Sequence, residues 1–271
     1  MRATRLPRLH VITDTRETFA PLAAVEAALA AGAKLVQVRP EDHFTDRAAF
    51  DLATAIAALC DQYGALCLVN DRVHIAQAVG ADGVHLGADD LPIDAARRIL
   101  PAASIIGGTA RDPESARAAR RAGATYLGVG PVWGTTTKTG LPQPIGLEGL
   151  AAVCEAVDLP VIAIGGITAE RAKLCREAGA HGVAVVGAVS GAADPQAATA
   201  ELLAAVGESA ERSPSRSAVG ERERHGPVAG ERCAQGAFAT GAQPSVASRA
   251  HDRLKDSISP DAGFLRAVGE A

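Results

Sequence analysis

The chain has 271 residues, a net charge of −4 and 3% aromatic residues. That length buries a full core in one large domain or two small ones, and with so few aromatics the core has to be built from Val, Ile, Leu and Ala. The acidic balance excludes a basic footprint for nucleic acid, and no apolar run approaches the roughly 18 residues that span a bilayer.

The amino terminus, MRATRLPRLHVITD, has no secretory h-region and enters a strand almost at once. Its first strand is predicted at Leu9–Thr13. A unit then recurs, an Ala-rich amphipathic helix that stops at a glycine and is followed by a short β-branched run. The glycines are Gly32, Gly64, Gly80, Gly123 and Gly179. Each is expected in the left-handed conformation that closes a helix. The strands that follow are predicted at Lys34–Arg39, Leu66–Asn70, Gly83–Leu86, Ser104–Gly107, Tyr126–Val129, Val161–Ile164 and Gly182–Val186. They are apolar at nearly every position, as strands buried on both faces of a parallel sheet are. A helical segment follows each one, the last at Asp194–Val206 with Asp194 as cap and Pro195 in the first turn.

Eight alternating units in an α/β chain point to a closed (β/α)8 (TIM) barrel over residues 1–206. An open doubly wound sheet is the alternative, but VITDTRE lacks its Gly-rich first turn. Residues 207–271 are rich in Gly, Ser, Arg, Glu and Ala without apolar periodicity, and are expected to be a disordered extension. The five cysteines, Cys60, Cys67, Cys154, Cys175 and Cys233, form no CxxC pair. They read as free thiols of a reducing cytoplasm.

In such a barrel the chemistry sits where strands end. Strand 2 ends Gln37-Val38-Arg39, and period-two alternation puts Gln37 and Arg39 on one face. An inward arginine at the mouth calls for an anion, either a phosphate or an internal carboxylate. Strands 3 and 4 deliver Asn70, Asp71 and, past His85, Asp90. Two carboxylates beside a phosphate fit Mg2+, while helix capping is the plainer role for each. His85 reads as a polar wall residue or a proton carrier. Strand 5 gives Thr109. The long segment after strand 6 carries Thr135, Thr136, Thr137 and Lys138, which suit phosphate or pyrophosphate. Gly166 after strand 7 and Val186-Gly187 after strand 8 allow close approach of an oxyanion to backbone N–H groups. Two anion sites in one pocket imply two phosphorylated substrates.

The runs VNDR, ADGVHLGADDLP, IIGGTARD, YLGVGPVWGTTTKTG, IAIGGI and HGVAVVGAVS together resemble the thiamine-phosphate synthase family, in order, over about residues 9 to 206. The resemblance implies coupling of an aminopyrimidine methyl diphosphate to a thiazole phosphate, with Mg2+ and release of pyrophosphate. It implies that Gln37, Arg39, Asn70 and Thr109 face the pyrimidine diphosphate and that Asp71 and Asp90 hold Mg2+. By the same match Lys138 meets the diphosphate, while Thr135, Thr137, Gly166, Val186 and Gly187 meet the thiazole phosphate. Glu41 departs from the pattern, standing where the family has a lysine near the diphosphate. A like charge there opposes binding unless Glu41 points away or meets a cation. A thiazole tautomerase of the same superfamily, or a non-catalytic thiazole or thiamine phosphate binder, are the competing readings. Neither would release pyrophosphate.

Overall fold

A computed structural model of the chain describes residues 6–16, 19–137 and 140–208. Lys138 and most of the predicted extension lie outside them. The strands are β1 (Leu9–Ile12), β2 (Leu35–Val38), β3 (Leu66–Asn70), β4 (Gly83–Leu86), β5 (Ile105–Ala110), β6 (Tyr126–Val129), β7 (Val161–Ile164) and β8 (Gly182–Val185). They pair in parallel in chain order, and β8 returns to β1 through Leu9 opposite Val183, so the sheet is a closed barrel.

The helices are α1 (Pro21–Ala30), α2 (Asp46–Tyr63), α3 (Val73–Val79), α4 (Ile93–Ile99), α5 (Pro113–Arg121), α6 (Gly146–Ala156), α7 (Ala169–Glu177), α8 (Gly187–Ser190) and α9 (Pro195–Ala205). All five glycines read as helix stops have positive φ. Asp194 caps α9 as expected, its side chain accepting from Ala197 N at 3.0 Å. The four-residue α8 was not anticipated; too short to show a period, it has no sequence signal of its own. Strand 5 runs three residues further than expected, to Ala110. Its Gly-Gly-Thr segment reads as a turn in sequence, yet barrel pairing with Tyr126 through Val129 keeps it extended.

Alternation along each strand divides the core. Leu35, Leu68, Tyr126, Ile162 and Ala184 turn inward and fill the barrel. Val36, Val38, Val69, Val84 and Ile106 turn outward against Leu52, Ile56 and their neighbours on the helices. The opposite wall is built the same way from Leu127, Val129, Val183 and Val185.

Where the sheet closes, backbones crowd. A Cβ at Gly83 would stand 1.8 Å from Ile105 O, and one at Gly182 would stand 2.0 Å from Arg8 O. The first and last described segments are clasped at the N-terminal rim. Arg8 N donates to Glu208 Oε1 at 2.7 Å, and its guanidinium donates to Val206 O and Gly207 O. The packed unit therefore reaches Glu208, two residues past the boundary read from sequence.

Two glycines test this account. Gly83→Ala must displace strand backbone and should cost about 3 kcal/mol or more. Gly64 has φ +59° and open space around it, so Gly64→Ala should cost only about 1–2 kcal/mol, from the left-handed backbone alone. Urea unfolding of both variants measures the difference.

Candidate active site

The C-terminal ends of the strands open into a cavity of about 1010 Å³. Of the residues selected from sequence, Gln37, Arg39 and Asn70 line it from β2 and β3, with Asp71 and Asp90 just beyond β3 and β4. Thr109 faces it from β5, the three threonines Thr135 to Thr137 from the segment after β6, and Gly166, Val186 and Gly187 from beyond β7 and β8. Glu41 does not line it.

The β2 end is held by the β1 loop. Arg39 N donates to Thr13 Oγ1 at 2.8 Å, Thr15 Oγ1 donates to Arg39 O at 3.0 Å, and Glu41 N donates to Thr15 Oγ1 at 3.1 Å. The Arg39 guanidinium meets the Glu41 carboxylate at 3.5 Å, both side chains partly exposed. The anion at the position where the resemblance leads to an expected lysine is thus paired with a cation. Beside it Asp14 takes three bonds from Arg16, two from the guanidinium and one from the backbone N–H, and one from Ser190 on α8. Burial pushes the Asp14 carboxyl up, but these hydrogen bonds outweigh it and hold the group below the usual carboxylate range.

Neither acid is a helix cap. The caps of α3 and α4 are Arg72 and Pro92, and neither makes a capping bond through its side chain. Asp90 Oδ2 instead accepts from Gly87 N at 2.6 Å, which fixes the turn after β4. Asp71 has φ +60°, and it alone among the described non-glycine residues has a positive φ. Aspartate tolerates that region at a cost of about 1 kcal/mol, and strain held at a cavity wall marks a constrained group. No group of three or more His, Cys, Asp or Glu side chains converges among the described residues. Two carboxylate side chains with room for substrate oxygens is a donor set that fits Mg2+, which takes hard oxygen ligands.

Across the interior runs a hydrogen-bonded chain of side chains. Gln37 bonds Tyr126, Tyr126 Oη shares a bond with His85 Nδ1 at 3.0 Å, and His85 Nε2 shares one with Thr109 Oγ1 at 3.1 Å. The rings fit because Gly107 and Gly128 vacate the space: a Cβ at Gly107 would fall 2.2 Å from Tyr126 Cζ, and one at Gly128 would fall 2.7 Å from His85 Cε1. His85 thus braces Thr109, which favours the wall role over the proton carrier. Below it His10 is buried edge-on to Tyr126 and bonded to Pro7 O at 3.1 Å.

The loop after β6 is clipped to β7 by Val132 N on Ile164 O (2.8 Å) and Trp133 N on Gly165 O (3.1 Å). Its far end returns through Ile145 N on Pro131 O and Gly146 N on Val132 O. These bonds hold up the threonines, whose Thr135 and Thr137 hydroxyls pair at 2.6 Å. Gly166 must be glycine, since its φ is +65° and a Cβ would meet Gly134 O at 2.6 Å. Arg171, His10 and Tyr126 also line the cavity. Sequence reading passed over them because a helix-borne arginine looks like surface and inward residues of a strand look like core.

The model of the family described as thiamine monophosphate synthase matches residues 9–189. The chain belongs to this family. A thiamine-phosphate synthase of Salinispora arenicola is 58% identical over 203 residues, covering 74% of this chain and 98% of that one. Another from Salinibacter ruber is 46% identical over 203 residues, covering 73% and 88%. The solved thiamine phosphate pyrophosphorylase of Pyrococcus furiosus superposes with a TM-score of 0.68 at 40% identity, over 74% of this chain and 95% of that one. A 3-hexulose-6-phosphate synthase, at 22% identity and a TM-score of 0.57, shares the barrel fold alone.

Burial, with His85 and His181 nearby, pushes His10 down from 6.5 to about 3. The folded state therefore binds fewer protons than the unfolded chain between those values. Stability is full above pH 6.5 and falls as the pH drops toward 3. His10→Gln, which keeps a donor for Pro7 O, should flatten that part of a stability-against-pH curve.

Proposed function

We infer that the protein is a thiamine-phosphate synthase. This transferase of thiamine biosynthesis joins an aminopyrimidine methyl diphosphate to a thiazole phosphate, plain or carboxylated, and releases pyrophosphate, with carbon dioxide leaving as well from the carboxylated form. One observation carries the assignment of roles: a single cavity has Arg39 and the carboxylates of Asp71 and Asp90 at β2–β4, with Asp42 and Asp89 beside them, and a glycine and threonine cradle at β6–β8. Members of the family need a metal ion. Here Asp71 and Asp90 would hold Mg2+, which supplies neutralisation of the charge on the diphosphate.

The anchoring of each residue supports the part it takes in this reading. Arg39, its backbone fixed by Thr13 and Thr15, grips the diphosphate through its guanidinium and gives up part of its pairing with Glu41 to do so. Asn70 adds an amide donor at the same end. Gln37, held by Tyr126, and Thr109, held by His85, bond the pyrimidine ring and set its methylene toward the cavity. Thr135, Thr136 and Thr137, with the backbone of Gly166, Val186 and Gly187, take the thiazole phosphate. That places the thiazole nitrogen against the methylene. The methylene C–O bond breaks with its electron pair leaving on pyrophosphate, and the nitrogen lone pair forms the new C–N bond. Lys138 and Arg39 stabilise the departing charge. No side chain needs to become a nucleophile, so orientation supplies much of the barrier reduction.

The residues up to Glu208 constitute the catalytic domain, and the remainder is a dispensable extension. No helix among the described residues is long and apolar enough to cross a membrane. The described cysteines are free, in keeping with a cytoplasmic enzyme acting on small phosphorylated heterocycles.

The test is pyrophosphate release on mixing the two substrates. Wild-type protein should release it only with Mg2+ present; release of none rejects the assignment and leaves a tautomerase or a binding protein. Asp71→Asn should lower kcat about a hundredfold or more. Glu41→Lys removes the Arg39 partner and restores a cation. It should lower KM for the pyrimidine diphosphate about fivefold, the equivalent of roughly 1 kcal/mol for a partly exposed pair. A chain ending at Glu208 should keep full kcat, whereas one ending at Val206 loses two of the three bonds to Arg8, those to Gly207 and Glu208, and should melt at a lower temperature.

A further inference from the structure

The described residues lining the cavity include two guanidinium groups, and the mechanism above employs one of them. Arg39 comes from β2. Arg171 stands across the mouth, in the first turn of α7. Its backbone is set by its own N–H donating to the capping Thr168 Oγ1 at 3.3 Å. Its guanidinium lies over the Trp133 ring, 4.9 Å from the centroid, and Nη1 donates to Gly166 O at 2.6 Å. Trp133 and Gly166 belong to the two clipped loops, so the guanidinium is positioned by both.

Position alone would make Arg171 a strut. Its charge argues for more. It forms no ion pair with any described carboxylate, and the neighbouring Glu170 is engaged by Thr168 Oγ1 at 2.8 Å instead. A partly buried cation at a cavity wall without a counter-ion is stabilised by an anionic ligand. A guanidinium stacked on an aromatic face keeps its edge donors in one plane, the geometry that meets two phosphate oxygens at once. It touches Gly166 and Trp133, and the loop that bears Trp133 also carries Thr135 and Thr137 into the same cavity, uncharged groups that suit a phosphate but do not balance its charge.

We propose that Arg171 binds the phosphate monoester of the thiazole substrate and sets the enzyme's preference for the phosphorylated over the free alcohol form. The proposal rests on the synthase reading for the identity of that substrate. Each end of the cavity then has its own arginine, Arg39 for the diphosphate and Arg171 for the monophosphate.

The test is calorimetric titration of the full chain, with Mg2+ and pyrophosphate present, by thiazole phosphate and by the corresponding thiazole alcohol. Arg171→Gln should weaken the phosphate form about tenfold and leave the alcohol within about twofold, with Arg171→Lys between, since it keeps the charge but loses the planar fork. In steady-state assays the KM for thiazole phosphate should rise while that for the pyrimidine diphosphate stays within about twofold. Equal loss for both thiazoles would mark a strut that only shapes the loop and would overturn the proposal. Unchanged affinity for the phosphate form, or no binding of it by wild type, would overturn it too. If wild type binds thiazole phosphate but releases no pyrophosphate, the synthase reading fails while the two-ligand comparison still decides Arg171.

Discussion

Closure of a parallel sheet is the constraint from which the rest of this molecule follows. Eight strands running the same way must leave all their C-terminal ends on one rim, and each must be followed by a helix that returns the chain outside. Side chains inside the ring have no water to turn to. They must be apolar, or polar and paired, and the ring must tolerate close backbone approach where strands cross. Gly83 and Gly182 meet the last demand, with carbonyl oxygens where their side chains would be.

The paired polar interior is the less ordinary solution. Gln37, Tyr126, His85 and Thr109 use the centre of the barrel for a chain of hydrogen bonds rather than for leucine and valine. Two glycines are given up to make room for the rings. The benefit is stiffness at the rim, because Gln37 and Thr109 each carry one bond into the floor and can present the remaining one to a ligand from a fixed position. Groups placed this way need little reorganisation when a substrate arrives.

Much of this was legible in the sequence because parallel barrels repeat. The Ala-rich helix, the glycine stop and the β-branched run mark the strands, and seven of the eight agree within a residue at each end, strand 5 being the exception. Alternation through Gln37, Val38 and Arg39 gave the inward face correctly. What escaped has physical reasons. Strand 5 hides behind glycines that local preference assigns to turns. Asp71 was read from its side chain, whereas its backbone strain depends on the tertiary path between β3 and α3. Glu41 stands out in the sequence as an acid beside an anion site, but its pairing with Arg39 depends on rotamers that spacing does not encode. Arg171 lies on a helix, and only the folded loop bearing Trp133 makes it part of a cavity.

The clasp between Arg8 and the segment ending at Glu208 has a bearing on chain connectivity. It joins the first strand to the last helix at the rim away from the site, so the two ends of the barrel are neighbours in space though 200 residues apart in sequence. Topologically the barrel is a ring whose opening point is arbitrary. A short covalent bridge across the clasp, with a new opening in one of the turns on that rim, would leave each strand's partners as they are. What the chain loses in such a permutant is only the order of synthesis, and the cavity at the opposite rim would not register the change.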